Sequence, residues 1–133
     1  MSLVAAIIVI AFGLVLVGFA GVAIAKPAVA EGWLMHFASS ARAHYTEQVV
    51  RVLVGAALVV LSPFMWRSKI FLLLGWVIVV SSAVLLCIPW QWHHRFAQRV
   101  LPIVVRHLKL YALGSLAFGM LFLYGVFAGP GGA

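Results

Sequence analysis

The chain has 133 residues, of which 66% are hydrophobic and 8% charged, and its mean hydropathy is +1.21. Soluble domains average about 25% charged residues, and nine basic and two acidic side chains cannot cover a water-exposed surface. The composition therefore excludes a soluble domain and predicts an integral membrane protein. The formal charge of +7 then favours anionic lipid head groups as a partner, and we expect no nucleic-acid partner.

Four apolar segments are long enough to cross a bilayer as helices, since about 20 residues at 1.5 Å each span the hydrocarbon core. The first segment could instead be a secretion signal cleaved near Ala23 and Ala25. It lacks a preceding basic region and exceeds the usual apolar length of about 7–15 residues, so we expect a span. The predicted spans are residues 3–25, 49–66, 70–92 and 110–128.

The two long connectors, residues 28–47 and 93–107, are predicted to form amphipathic helices. An apolar, aromatic face opposite a basic face is typical of a helix lying in the membrane interface, although packing against a partner's soluble domain is an alternative. The interfacial anchors are predicted to be Trp33, Trp66, Trp90 and Trp92, and the lipid head-group contacts Arg42, Arg95, Arg99, Arg106 and Lys109.

The predicted fold is a single all-α membrane domain over residues 1–133, with four transmembrane and two interfacial helices and both termini on one side. The order span, interfacial helix, span occurs in residues 1–66 and again in residues 69–129. This pattern indicates either a parallel internal repeat or a shared architecture without common descent.

The distribution of basic residues predicts the orientation in the membrane. Seven lie on the side of the two long connectors, and only Arg67 and Lys69 lie on the other side. Because cytoplasmic loops carry the excess of Lys and Arg, we expect the connectors in the cytoplasm and the termini outside, in what we take to be a bacterial inner membrane.

Groups suited to catalysis are sparse. The two acidic residues, Glu31 and Glu47, lie outside the predicted spans, which disfavours proton or cation transport. The sequence also lacks the carboxylate pairs typical of acid–base or metal-assisted hydrolysis. We therefore predict no enzyme activity, no catalytic residue and no metal site.

Histidines are the only candidate cofactor ligands. His44 and His107 occupy equivalent positions before the second and fourth spans, and imidazole can bind haem iron or the magnesium of a chlorophyll-type pigment. Bundle haem sites usually place their histidines inside the spans, so we expect no resident cofactor. The alternative is a haem or chlorophyll-type pigment bound by His44 and His107.

Small residues at helix-packing spacing predict close contacts between spans. They form the pairs Gly21 with Ala25 and Ser115 with Gly119, and Gly55 in the second span is a further predicted packing residue.

These features favour a non-catalytic accessory or scaffold subunit of a larger membrane complex, with electron transport or light harvesting as plausible settings. The other hypotheses are a small dimeric transporter of lipids or hydrophobic compounds, a cytochrome-like cofactor-binding subunit, and a module that binds anionic lipid. The expected partners are membrane lipids and other membrane protein subunits.

Overall fold

The computed structural model describes residues 2–37 and 40–130, of which 91% are helical, and this part of the chain contains no strand. The six α-helices are α1 (Leu3–Ala25), α2 (Pro27–Phe37), α3 (Ala41–Leu61), α4 (Ser68–Cys87), α5 (Trp90–Arg106) and α6 (Leu108–Ala128), and a 3₁₀ turn at Ser62–Phe64 extends α3.

The all-helical fold is confirmed, as is the presence of four helices long and apolar enough to cross a membrane. These four are Leu3–Ala25, Ala41–Phe64, Ser68–Cys87 and Leu108–Ala128. The protein is thus compatible with integral membrane insertion, and α2 and α5 are the two remaining α-helices of the described residues.

The spans associate as two antiparallel pairs, α1 with α6 and α3 with α4, and α1 also contacts α3. Glycines set the distance within each pair. A Cβ atom on Gly119 would lie 2.8 Å from the Gly13 carbonyl oxygen, and one on Gly55 would lie 2.9 Å from the Gly75 carbonyl oxygen. Real Cβ atoms do not approach this closely, so the backbones meet where a side chain would keep them apart.

The largest buried cluster lies between the pairs and includes Val9, Leu58, Phe71 and Phe122. At the end of the bundle formed by the α3–α4 turn, the Trp66 amide donates to the Gly125 carbonyl oxygen at 2.9 Å. A Cβ on Gly125 would lie 2.4 Å from the Phe71 ring. Gly125 therefore allows α6 to pack against this turn.

The connector predicted as one helix over residues 28–47 is not a single helix. Helix α2 ends at Phe37, and α3 begins at Ala41 and continues into the second span. The Ser40 side chain accepts a hydrogen bond from the Ala43 amide, which is an N-cap that starts a new helix. The second spanning helix therefore begins at residue 41 instead of 49.

The predicted third span, residues 70–92, was too long at its carboxyl end. Helix α4 ends at Cys87, Ile88 is extended, and Pro89 precedes α5. The ring of a proline disfavours helical geometry in the residue before it, so the chain turns there. As a result, Trp90 and Trp92 belong to α5 and not to the end of the span.

Candidate functional site

Polar side chains collect on one stripe of α3 near its amino end. His44, Gln48 and Arg51 follow one another at intervals of four and three residues, and therefore lie on the same side of the helix. His44 is 3% exposed and Gln48 is fully buried, whereas Arg51 is half-buried. A helix that crosses an apolar bundle thus carries a buried polar stripe at the end nearer the connectors.

His44 is hydrogen-bonded to His93 of α5, with 3.0 Å between their Nδ1 atoms. The His44 Nε2 atom is buried without a partner. A buried N–H without an acceptor is rarer than a nitrogen lone pair without a donor. We therefore assign the proton of His44 to Nδ1, from which it donates to His93, and this leaves His93 protonated at Nε2.

Burial lowers the pKa of His93 below its ordinary value of 6.5, and the neighbouring His44 lowers it further. Arg51 and His94 act in the same direction, whereas Glu47 opposes them. The neutral form of His93 is thus favoured, in agreement with a ring that accepts at Nδ1 and carries its proton on Nε2.

The facing helix α4 supplies two serines to this region. The Arg51 guanidinium donates to the Ser81 hydroxyl at 3.1 Å. The adjacent Ser82 is fully buried, and its hydroxyl, like both amide atoms of Gln48, has no hydrogen-bond partner. Given the Gly55–Gly75 contact, the antiparallel register places Gln48 and Ser82 at the same level of the α3–α4 pair.

A cleft of about 800 Å³ opens between the two helix pairs, and of the polar stripe Arg51 lies in its wall. Glu47, Arg51 and His93 form its polar end. The remaining wall is mostly apolar and includes Phe12, Leu74, Ile78, Ala97, Phe118 and Phe122.

A second cleft of about 910 Å³ lies between α1, α2 and α6 and is also lined mainly by apolar side chains. The two clefts share five wall residues, which makes them neighbours along one path through the bundle. The shared residues are Val15, Leu16, Leu34, Ser115 and Phe118.

This arrangement can hold a molecule but has few groups that could transform one. In the part of the chain that the structure describes, no three His, Cys, Asp or Glu side chains come together as a metal site. What the first cleft offers is hydrogen bonding at one end and a large apolar volume beyond it. Such a combination is typical of small-molecule binding pockets.

The proposed ligand pair His44 and His107 is not the pair that the structure forms. His44 is hydrogen-bonded to His93, whereas His107 is exposed at the α5–α6 junction and lines the second cleft. His93, the partner of His44, is not among the predicted site residues. A partner on a separate helix, 49 residues away, leaves no signal in residue spacing.

The predicted head-group residues all lie on the surface. Arg95, Arg99 and Arg106 are exposed on α5, and Arg42 and Lys109 are exposed near the starts of α3 and α6.

The predicted anchors differ in their surroundings. Trp92 is 64% exposed, and Trp33, at 46%, lines the second cleft. Trp66 and Trp90 are half-buried, against Tyr124 and His94 respectively.

The predicted packing residues divide into two groups. Gly55 and Gly119 lie at close contacts between helices, and the Ser115 hydroxyl donates to the Leu16 carbonyl oxygen at 2.8 Å. Gly21 and Ala25 are instead exposed, and nothing lies within 4 Å of a Cβ placed on Gly21. Among the described residues, Gly21 therefore makes no close contact with another helix.

Comparison of the chain with known protein families, curated protein sequences and solved structures finds no match. Its function is therefore argued from its own residues.

Proposed function

We propose that this protein is a non-catalytic accessory or scaffold subunit of a larger membrane complex. The observation that carries the proposal is an uncovered apolar strip on α4, the least buried of the four spans. The strip consists of Leu73, Trp76, Val77, Val80 and Val84, each more than half exposed. Their spacing of three, four and seven residues is that of a helix–helix contact.

Trp76 indicates that the strip on α4 is covered by another protein and not by lipid. It lies about 12 Å along α4 from Ser68 and about 16 Å from Cys87, near the middle of the span. Tryptophan favours the membrane interface, and an indole N–H in hydrocarbon has no acceptor. A neighbouring helix can offer both an apolar surface and an acceptor for that N–H.

Helix α5 supports the lipid-binding part of the proposal. None of its residues is fully buried, and Trp92, Phe96 and Ile103 are each at least half exposed. Three exposed arginines accompany them on the same helix. We propose that α5 lies in the membrane interface, with its aromatic side chains in the acyl region and its arginines at anionic head groups.

Site-specific crosslinking in the native host tests the subunit role. A photoreactive amino acid replaces Val77, which leaves Trp76 in place, and the adducts are identified by mass spectrometry. We expect one distinct membrane protein as the main adduct. Absence of any adduct, together with recovery of a lone monomer in mild detergent, would contradict the proposal. An adduct with a second copy of this chain would also contradict it and favour a dimer.

The variant Trp76→Ala provides a second measurement. It removes both the ring and the indole N–H, and we expect several-fold less of the crosslinked partner to co-purify. The matched control is Leu113→Ala, on α6 at 57% exposure, which should retain the partner. Equal recovery with both variants would remove Trp76 as the contact.

A further inference from the structure

The polar end of the first cleft has a donor and acceptor pattern specific enough to indicate a ligand class. Arg51 contributes guanidinium N–H groups, and His93, with its Nδ1 atom occupied by His44, retains the Nε2–H. Glu47 is the acidic group in the same part of the wall. Two donors and one carboxylate thus meet at the end of an apolar cleft.

We infer that this cleft binds a neutral, single-tailed amphiphile whose head group carries carbonyl oxygens, which is the chemistry of an isoprenoid quinone. The carbonyl oxygens accept from Arg51 and His93, and the apolar wall holds the tail. Binding is a property of this chain alone and does not depend on the proposed subunit role.

The charges at the polar end favour a neutral head over an anionic one. Glu47 and Arg51, of opposite charge, both line this part of the wall, and burial and the neighbouring His44 lower the pKa of His93, which favours its neutral form. A phosphate or fatty-acid carboxylate would meet Glu47 at close range without a net positive environment. A neutral carbonyl uses the two donors without this repulsion, and the hydroxyl of a reduced head can donate to Glu47.

The tail has mostly apolar walls to contact in both clefts. Beyond the polar end, Leu74, Ile78 and Phe122 line the first cleft, and the shared wall at Leu16 and Phe118 leads to the second. Gly114 lies in the wall of the second cleft, and a Cβ there would have nothing within 4 Å. The path is therefore open at the point where a long tail would pass.

The test is ligand binding to the purified full-length chain in mild detergent, measured by native mass spectrometry. The probes are a decyl-substituted benzoquinone, a monoacylglycerol of equal tail length and the corresponding fatty acid. We expect one quinone per chain, bound at least tenfold more tightly than the fatty acid and several-fold more tightly than the monoacylglycerol. Equal binding of all three, or no quinone binding, would overturn the inference.

Variants place the ligand in the cleft. Ala97→Phe fills the cleft beside His93 and should abolish quinone binding, whereas Gln98→Phe, at the next and exposed position, should not. Arg51→Met and His93→Phe should each weaken binding about five- to tenfold, the worth of one hydrogen bond of about 1 kcal/mol or slightly more. Quinone binding that survives Ala97→Phe would assign the ligand to another surface.

A second pair of variants tests the tail path without altering the polar end. Gly114→Leu places a side chain in the second cleft, and Gly18→Leu places one at an exposed position on α1, with open space around both. We expect Gly114→Leu to weaken the binding of a long-tailed quinone at least fivefold and Gly18→Leu to leave that binding unchanged. An equal effect of the two variants would contradict the path.

Discussion

Buried polar side chains and glycines determine how the helices of this protein pack. Gln48 and Ser82 are fully buried without hydrogen-bond partners for their side-chain atoms. Burying such groups in apolar surroundings costs about 1–3 kcal/mol each in proteins. Their position behind Arg51 and His93 gives the bundle a polar interior at the level where the first cleft begins.

The burial of His93 beside His44 predicts a pH dependence of stability. The pKa of His93 is lowered in the folded protein, so the unfolded chain binds more protons between that lowered value and 6.5. The stabilising contribution is therefore fully present above pH 6.5 and is lost as pH falls through the lowered pKa. Thermal unfolding in detergent between pH 7.5 and 5 should show a melting temperature that drops on the acid side.

Replacing His93 identifies the group responsible. His93→Gln should flatten the acid-side slope, although its melting temperature at pH 7.5 also falls because His44 loses its partner. The control His107→Gln, at an exposed position, should keep the slope of the unmodified chain. A slope that persists in His93→Gln would assign the effect to another group.

The glycine contacts predict that an alanine substitution destabilises the protein at Gly55 but not at Gly18. Gly55→Ala places a Cβ 2.7 Å from Val79 Cγ2 and 2.9 Å from the Gly75 carbonyl oxygen, so α3 and α4 must separate. We expect the free energy of unfolding to fall by about 1–3 kcal/mol, as is typical of overpacking. Unfolding in mixed micelles measures this change.

Gly18→Ala is the matched control, because nothing lies within 4 Å of its added Cβ. It should be neutral or stabilising, since alanine favours a helix more than glycine by about 0.5–1 kcal/mol. Equal destabilisation by the two substitutions would show that the α3–α4 contact is not set by Gly55.

At the scale of elements, helix ends depended on local chemistry that periodicity alone did not reveal. The Ser40 cap divides the first connector, and Pro89 separates α4 from α5. Both signals are visible in the sequence, but hydropathy runs continue across them. Residues 41–47 form the first turns of α3, where Arg42 and Thr46 are exposed and His44 is buried.

Helix α5 predicts a preference for anionic lipid that depends on charge. Changing Arg95, Arg99 and Arg106 together to Gln should lower the ratio of anionic to zwitterionic lipid that co-purifies several-fold, since each basic residue near the surface contributes about 1 kcal/mol. Lipid mass spectrometry after mild-detergent extraction measures this ratio.

The triple Arg→Lys variant is the matched control, because it retains the charge at the same three positions. It should keep most of the preference for anionic lipid. If the Gln variant retains the ratio of the unmodified chain, α5 does not provide the head-group contacts.

At the scale of the whole molecule, the two helix pairs correspond to one another. Gly13 and Gly75 are 62 residues apart, as are Pro27 and Pro89. Gly13 approaches Gly119 on α6 and Gly75 approaches Gly55 on α3, although Gly55 and Gly119 are 64 residues apart. Exchanging α1 with α4 and α6 with α3 thus maps one close pair onto the other. A parallel repeat of residues 1–66 and 69–129 stays a prediction, and a shared architecture without common descent stays its alternative.

The orientation in the membrane is a prediction for the whole molecule. With seven basic residues on the connector side and two on the other, we expect a carboxyl-terminal alkaline phosphatase fusion to be active and a fusion made after Lys109 to be inactive. Green fluorescent protein at the same two points should give the reverse. The opposite pattern would place the connectors outside the cytoplasm.

The sequence by itself determined the all-helical class, the four helices long and apolar enough to cross a membrane, and the small residues Ser115 and Gly119 at the contact of α6 with α1. These depend on composition and on spacing within one helix, which a linear pattern records directly. Only the tertiary structure decided that His44 pairs with His93, that Gly55 faces Gly75, and that Arg51 and His93 line the same cleft. Such contacts join residues from different helices, and the packing that selects them depends on the shape of both surfaces at once.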